Sequence, residues 1–302
     1  MWFLNCRSAA VGGDVGPVHV SDGVSTYLTF PQLLSSIRGR HVLIGIHGFN
    51  VNQADGIDHL QEWYKLLSLD ASGLFIGGLW PGDSTWLGAL EYAFAAKAAM
   101  GSGDALAGFI NANLTQALSI SFVSHSLGAR VALRAIQQLA SSFTVKRLLM
   151  MAPAVDDDCL TDEFAAPAKR IGEISILASE CDEVLKLAFP LGNPISGIFA
   201  EGHPYWHAAL GREGPSALPT PNNIQGGWLL PNSWAVDHGD YLPPRTPFPS
   251  GYQPSPFAIP VQFPAQDSGA PASGTPSGFF VSGTYQHWQC GWTAALTSMR
   301  FQ

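Results

Sequence analysis

The sequence predicts an α/β protein, with a mostly parallel central sheet that helices cover on both faces. Three observations lead to this fold class. Five short apolar runs are bounded by turn residues, longer stretches with helical spacing lie between them, and the two kinds of segment alternate along the chain. Short apolar runs are typical of strands buried on both faces of a parallel sheet, and right-handed crossovers join such strands when helices alternate with them.

The predicted elements follow one another in the first two thirds of the chain. The strands share a short, mostly apolar run, and they are residues 42–46, 74–80, 120–124, 147–151 and 174–178. The helices share apolar positions three or four residues apart, and they are residues 57–67, 87–114, 129–139 and 182–189. Gly101 and Gly103 predict a break of the second helix into two. Residues 25–30 are predicted to form a further strand, antiparallel and near the sheet edge.

The composition changes after Pro190, because 17 of the 22 prolines lie between Pro190 and Pro276. We therefore divide the chain into a main domain, residues 1–244, and an appendage, residues 245–302, that is rich in Pro, Gly, Ser and aromatic residues. Its aromatic side chains would be costly to leave in water, which predicts that the appendage packs on the main domain or on a partner. Homo-oligomerisation through the appendage stays open.

Charge and hydropathy argue against two classes of partner. The formal net charge is −8, and no run of Lys or Arg is longer than two, so nucleic acid is not an expected partner. The longest uncharged stretch, residues 268–299, contains prolines and many glycines, which argues against stable membrane insertion. The apolar run at the start of the chain is too short for a signal peptide. We expect a cytoplasmic protein, with secretion after trimming left open.

The four cysteines, Cys6, Cys159, Cys181 and Cys290, form no C-x-x-C pair and have no zinc-like spacing to histidine. This pattern predicts free thiols in a reducing compartment and no structural metal. The even number of cysteines leaves disulfide bonds open.

Ser126 is the predicted nucleophile. The apolar strand at residues 120–124 runs directly into Ser-His-Ser-Leu-Gly, and a helix follows at once. Strand, tight turn and helix are the context in which G-x-S-x-G forms a nucleophile elbow, where small residues two before and two after the serine let the turn close. Ser124 takes the place of the first glycine, which its small size allows.

A nucleophilic serine needs backbone donors for the oxyanion that forms on the attacked carbonyl. The strand at residues 42–46 ends in His47 and Gly48, and this glycine lets the backbone turn so that the N–H of Phe49 points to the site. The second predicted donor is the N–H of Leu127, directly after the nucleophile. We expect His47 to brace this loop by hydrogen bonds rather than to act as a base.

These motifs resemble the α/β-hydrolase superfamily. Most similar is a poorly characterised group of bacterial serine hydrolases with H-G-F-N, W-P-S and H-S-x-G motifs. The corresponding segments are H-G-F-N at 47–50, L-W-P-G at 79–82, H-S-L-G at 125–128 and A-P-A-V-D at 152–156. The resemblance covers roughly residues 40–242, and Gly82 departs from the usual serine of the group. The appendage has no counterpart in it.

The resemblance implies the chain order serine, acid, histidine. Asp182 is the expected acid, because the superfamily most often places it after the strand next but one from the elbow, and Asp156 is the alternative. His238 is the expected base, since W-A-V-D-H-G-D-Y at residues 234–241 looks like the terminal histidine loop of the group. His203 and His207 are the other histidines in range, and His125 is expected to be structural.

The function implied is hydrolysis of a carboxylic ester through a covalent acyl-enzyme, with no metal and no organic cofactor. Trp80 and Trp86, near the end of a strand, and Tyr205 and Trp206, before the histidine loop, are predicted to line the substrate cleft. Such walls favour a small uncharged ester with a short to medium acyl chain. An amidase or acyltransferase with the same triad, or a catalytically silent scaffold that binds a partner through the appendage, are the alternatives.

Overall fold

The computed structural model describes residues 1–7, 15–21, 24–27, 30–67, 69–83, 89–187, 189, 207–216, 222–224 and 229–242. The appendage lies outside the described residues, so its packing stays a prediction. Among the described residues, no helix has the length and apolar character that crossing a membrane requires.

The described part of the chain contains eight strands, seven α-helices and one 3₁₀ helix, Asn232–Trp234. The strands are β1 (Trp2–Asn5), β2 (Gly16–Ser21), β3 (Val24–Tyr27), β4 (His41–Ile46), β5 (Gly73–Leu79), β6 (Ser119–His125), β7 (Val145–Met151) and β8 (Ile171–Leu177). The helices are α1 (Phe30–Ile37), α2 (Gln53–Leu66), α3 (Ala89–Asn113), α4 (Gly128–Gln138), α5 (Ala165–Ala168), α6 (Glu183–Leu187) and α7 (Leu210–Glu213). The fold class is therefore the predicted one.

All eight strands belong to one sheet, in the order β3-β2-β1-β5-β4-β6-β7-β8. Six neighbouring strands are parallel, namely β1, β5, β4, β6, β7 and β8. The strands β2 and β3 add an antiparallel edge next to β1. The chain passes from β4 to β5 on one side and then crosses to β6 on the other. The loops after β4 and β6 therefore diverge at the carboxyl edge, where open α/β sheets bind their ligands.

The central strands are apolar because both of their faces are covered. Every residue of β6 is buried, and β4 is buried from its second residue onward. Helices α3 and α4 pack on each other, and α4 also contacts β6 and α5. This rigid layer fixes the positions of the loops that leave the carboxyl edge.

The predicted break at Gly101 and Gly103 is wrong, since α3 runs without interruption from Ala89 to Asn113. The glycine at 103 serves the packing of α3 on α4 instead. A Cβ on Gly103 would lie 2.7 Å from the Cβ of Arg134 and 2.9 Å from the carbonyl oxygen of Val131. A glycine inside a helix thus marks a close helix contact here rather than a helix end.

The antiparallel edge is only partly foreseen in the sequence. The predicted strand at residues 25–30 corresponds to β3, which ends at Tyr27, and α1 begins at Phe30. The short strands β1 and β2 and the helix α1 were not predicted. Cys6, Cys159 and Cys181 are free thiols, whereas Cys290 lies outside the described residues.

Candidate active site

Ser126 lies in the sharp turn between β6 and α4, at the point where the strand order reverses. Its φ of 52° is positive, a conformation that non-glycine residues adopt only when their surroundings impose it. The surroundings here are two backbone hydrogen bonds, one to the last residue of β7 and one to the loop that follows it. The N–H of Ser126 donates to the carbonyl of Met151 at 2.9 Å, and its own carbonyl accepts from the N–H of Ala154 at 3.2 Å.

Three side chains from distant parts of the sequence meet at this turn. His238 Nε2 is 2.9 Å from Ser126 Oγ, and His238 Nδ1 is 2.8 Å from Asp182 Oδ2. An ionised carboxylate only accepts hydrogen bonds, so Nδ1 carries the proton and Nε2 is left to accept from the serine hydroxyl. We call Ser126, His238 and Asp182 the triad.

Asp182, and not Asp156, reaches the histidine. Asp182 is fully buried directly before α6, where its Oδ1 accepts from the N–H of Leu185 at 2.8 Å. This contact caps the first turn of the helix and turns the second carboxylate oxygen toward His238. Asp156 lies after β7 and forms an isolated bridge with Ala209. The structure thus brings together the three residues favoured by sequence and leaves the alternative acid outside the triad.

The loop after β4 packs directly against Ser126. A Cβ on Gly48 would lie 3.0 Å from the Cβ of Ser126 and 2.9 Å from Nδ1 of His125, so only glycine fits there. Asn50 has a φ of 56°, a left-handed conformation that asparagine tolerates better than most residues. Within the described part of the chain, the N–H groups of Phe49 and Leu127 donate to no other group. Leu127 directly follows Ser126 and lies at the positive end of α4, whereas Phe49 directly follows Gly48.

His47 braces this loop and is not part of the triad. Its Nδ1–H donates to the carbonyl of Gly48 at 2.9 Å, and its Nε2 accepts from the N–H of Trp80 at 3.2 Å. Burial lowers the pKa of His47 to about 4, so the ring is neutral at neutral pH. The loop at residues 80–82 adds a backbone bond, from the N–H of Val51 to the carbonyl of Gly82.

Trp80 was predicted to line the cleft, and its position corrects this expectation. Its indole is 1% exposed, stacks on His47 with the ring centroids 5.8 Å apart, and donates its N–H to the His47 carbonyl at 2.8 Å. No face of the ring is left for a substrate. The other predicted wall residues, Trp86, Tyr205 and Trp206, lie outside the described residues, and so does His203.

The acid loop, residues 178–182, carries Asp182, and the histidine loop, residues 235–241, carries His238. Polar contacts that the sequence did not predict join these two loops. Ser179 Oγ donates to the carbonyl of Val236 at 2.6 Å. Asp237 Oδ1 accepts from the N–H of Glu183 at 3.0 Å and from that of His238 at 2.8 Å. Asp240 Oδ2 accepts from the N–H of Asp237 at 2.8 Å. The acidic residues that flank His238 in D-H-G-D were the one signal in the sequence that could have indicated this network.

His207, the remaining candidate base, lies between two acids. Its Nδ1 is 3.4 Å from Asp157 and its Nε2 is 3.6 Å from Asp158. Among the described residues, Asp157, Asp158 and His207 form the cluster whose residue types could hold a metal ion. The two ring nitrogens face different carboxylates, an arrangement that suits an imidazole held between two acids better than three ligands converging on one point.

The sheet order, the elbow at its switch point and the triad together define an α/β-hydrolase. The chain belongs to the family described as "Alpha/beta hydrolase of unknown function (DUF900)", whose model matches residues 24–206. This match confirms the resemblance drawn from the motifs. No curated protein matches the chain.

Several solved structures are similar to this chain at low sequence identity. An uncharacterized protein from Bacillus cereus ATCC 10987 is 17% identical, with a TM-score of 0.35 over 55% of this chain and 48% of that chain. The chain therefore spans about half the length of that protein. A butyrate-bound esterase, Est2 of Thermogutta terrifontis, is 12% identical, with a TM-score of 0.31 over 56% and 73% of the two chains. A prolyl endopeptidase structure is 15% identical, with a TM-score of 0.34 over 76% and 34%.

Proposed function

We propose that this protein hydrolyses carboxylic esters, with Ser126 as nucleophile, His238 as general base and Asp182 as the acid that orients it. The observation that carries the proposal is the unbroken hydrogen-bonded chain from Ser126 Oγ through His238 to Asp182, with distances of 2.9 and 2.8 Å. A nucleophile within reach of a base that a buried carboxylate orients is the arrangement that activates a serine hydroxyl.

In the first step the hydroxyl proton of Ser126 passes to Nε2 of His238 while Oγ forms a bond to the ester carbonyl carbon. The carbonyl oxygen becomes an oxyanion, which accepts hydrogen bonds from the N–H groups of Phe49 and Leu127. Each such donor contributes about 3 to 4 kcal/mol to the transition state in comparable sites. Asp182 stabilises the positive charge that His238 acquires.

In the second step the tetrahedral intermediate collapses, and the bond to the alcohol breaks. His238 returns its proton to the departing oxygen, which leaves an acyl group on Ser126. A water molecule then gives a proton to Nε2 and attacks the acyl carbon through the same oxyanion site. The carboxylic acid leaves and Ser126 regains its proton.

The charges around the triad support an uncharged ester as the substrate. The net charge of the chain is −8, and Glu180 and Asp237 lie in the two loops that carry Asp182 and His238. Glu183 begins α6 and pairs with Lys186 at 2.9 Å. An anionic substrate would meet this negative potential. Val184 and Leu187 lie one turn apart on α6 and are 45% and 63% exposed, which leaves an apolar face beside the acid loop. Short to medium acyl chains suit such a surface.

The test combines a covalent probe with a substrate panel. A fluorophosphonate should label the parent protein rapidly and leave Ser126→Ala unlabelled, while both proteins keep the same circular dichroism and melting temperature. The ratio kcat/KM should be highest for p-nitrophenyl esters from acetate to octanoate, and lower for palmitate, for a carboxylate-bearing ester and for an anilide. A preference for the anilide would indicate an amidase, and an unlabelled parent would indicate a silent scaffold. Either result would overturn the proposal.

A further inference from the structure

His238 is held by its backbone as well as by its ring. Its N–H donates to Asp237 Oδ1 at 2.8 Å, and its carbonyl oxygen lies 2.7 Å from Nε2 of His125. The carbonyl can only accept, so Nε2 of His125 carries the proton. This bond joins the last residue of β6 to a loop 113 positions further along the chain.

The position of His125 makes this bond unusual among the contacts of the histidine loop. His125 directly precedes Ser126, so the segment that carries the nucleophile also binds the backbone of the base. The two imidazole rings lie with their centroids 4.9 Å apart and tilted by 51°. Any shift of His238 away from Ser126 would have to stretch the His125 bond.

The protonation state of His125 suits a permanent donor. Burial, and then the neighbouring His238, lower the pKa of His125 to about 3. The ring is therefore neutral at working pH and adds no positive charge beside His238. Among the described residues, Nδ1 of His125 has no hydrogen-bond partner although it is buried next to Gly48. An apolar residue would avoid this unfavourable burial, so the ring is not explained by packing alone.

We propose that His125 is a positioning residue, whose Nε2–H holds the carbonyl of His238 and thereby keeps the base at hydrogen-bonding distance from Ser126. The inference rests on the proposed function, and it adds a role for a residue that the motif analysis had treated as structural. His125 touches no reacting atom and acts through His238.

The test compares two replacements that differ in reach. His125→Gln retains an amide N–H at nearly the distance of Nε2, whereas His125→Asn is one methylene shorter and leaves the carbonyl of His238 without its donor. His125→Asn should lower kcat about 100-fold with KM nearly unchanged, as expected when a reacting group is displaced by about 1 Å. His125→Gln should keep kcat within about fivefold of the parent, since the donor is restored.

His41→Gln is the matched control. The ring of His41, the first residue of β4, lies 2.7 Å from Oγ of Ser119, the first residue of β6. This contact is at the end of β6 opposite to His125. This variant should keep kcat and KM at parent values. Equal losses in His125→Gln and His125→Asn, or a kcat within twofold of the parent in both, would overturn the proposal.

A spectroscopic measurement separates this inference from the proposed function. The proton between His238 Nδ1 and Asp182 should give a low-field NMR resonance, assigned by its loss in His238→Ala. The resonance should persist in His125→Gln and in His41→Gln, and it should broaden or move upfield in His125→Asn. This readout does not depend on a substrate, so it decides on the positioning role even if the parent hydrolyses no ester. An unchanged resonance in His125→Asn would contradict that role.

Discussion

The nucleophile loop and the histidine loop meet at the hydrogen bond between Ser126 and His238, and they are built differently. Ser126 is fixed by a strand, a helix and the close contact with Gly48, that is, by backbone geometry and steric fit. His238 lies in a short loop and is held there by hydrogen bonds to the side chains of Asp182, Asp237 and His125. The first arrangement tolerates no added atom, whereas the second depends on each donor and acceptor. Substitutions should therefore act by crowding on one side and by loss of polar partners on the other.

The largest effect is expected at the polar contact between the acid and the base. Asp182→Asn keeps the shape of the side chain but leaves Nδ1 of His238 facing an amide, which favours the wrong tautomer and removes the stabilising charge. We expect kcat to fall by about 10⁴, as in a well-studied triad. Asp156→Asn, which changes an acid outside the triad, should lower kcat less than tenfold. Steady-state kinetics on the preferred ester measure both, and a reversed order of effects would identify Asp156 as the acid.

Crowding of the nucleophile loop should have the next largest effect. Gly48→Ala adds a Cβ at 3.0 Å from Ser126 and 2.9 Å from Nδ1 of His125, so the loop carrying the N–H of Phe49 must move. Loss of one oxyanion donor lowers kcat about 100-fold or more. Gly108→Ala is the control, because a Cβ there meets no atom within 4 Å. A kcat of Gly48→Ala within threefold of the parent value would contradict the expected displacement of this loop.

The supporting contacts of the histidine loop should give a smaller effect. Asp237→Ala removes the acceptor for the N–H groups of Glu183 and His238, and we expect kcat to fall about tenfold through the loss of these hydrogen bonds. Asp237→Asn keeps an acceptor oxygen in the same place and should retain most of the activity. If the two variants lose activity equally, the charge of Asp237 matters rather than its hydrogen bonds.

The smallest expected effect concerns stability and pH. Burial lowers the pKa of His47 to about 4 and that of His125 to about 3, from the ordinary value of 6.5. Below about pH 6.5 the unfolded chain therefore binds more protons than the folded one, and the free energy of unfolding decreases as the pH falls toward 4. Urea midpoints measured from pH 7.5 to pH 4.5 should show this decrease, with a shallower slope in His125→Gln. A midpoint that rises toward pH 4.5 would contradict it.

Sequence patterns predict the parts of the molecule that local rules control. The central strands follow from their apolar runs, and the Ser126 turn follows from small residues between a strand and a helix. Asp182 and His238 were instead expected from the resemblance to the α/β-hydrolase superfamily. The helix break predicted at Gly103 is wrong because a glycine can either end a helix or admit a neighbouring helix, and the outcome depends on Arg134 in α4. The cleft position predicted for Trp80 is wrong because an aromatic residue at a strand end can turn to the core as well as to the cleft.

Other features depend on tertiary contacts that leave no local pattern. The strand β1 has only four residues and pairs with β5, more than seventy positions away. The bonds of Ser179 to Val236 and of His125 to His238 join loops that are distant in the sequence. A residue such as Ser179 looks like any other loop serine until the partner loop is in place.

Because Ser126 has a positive φ, the residue that would best stabilise the fold at this position differs from the residue that the proposed activity needs. A non-glycine residue in this conformation costs about 1 to 3 kcal/mol, whereas glycine adopts it freely and loses only about 0.5 to 1 kcal/mol through the added flexibility of its unfolded chain. A selection for thermal stability alone would therefore favour glycine at 126 and discard the nucleophile. Directed evolution of a more robust enzyme from this chain consequently needs an activity screen at every round.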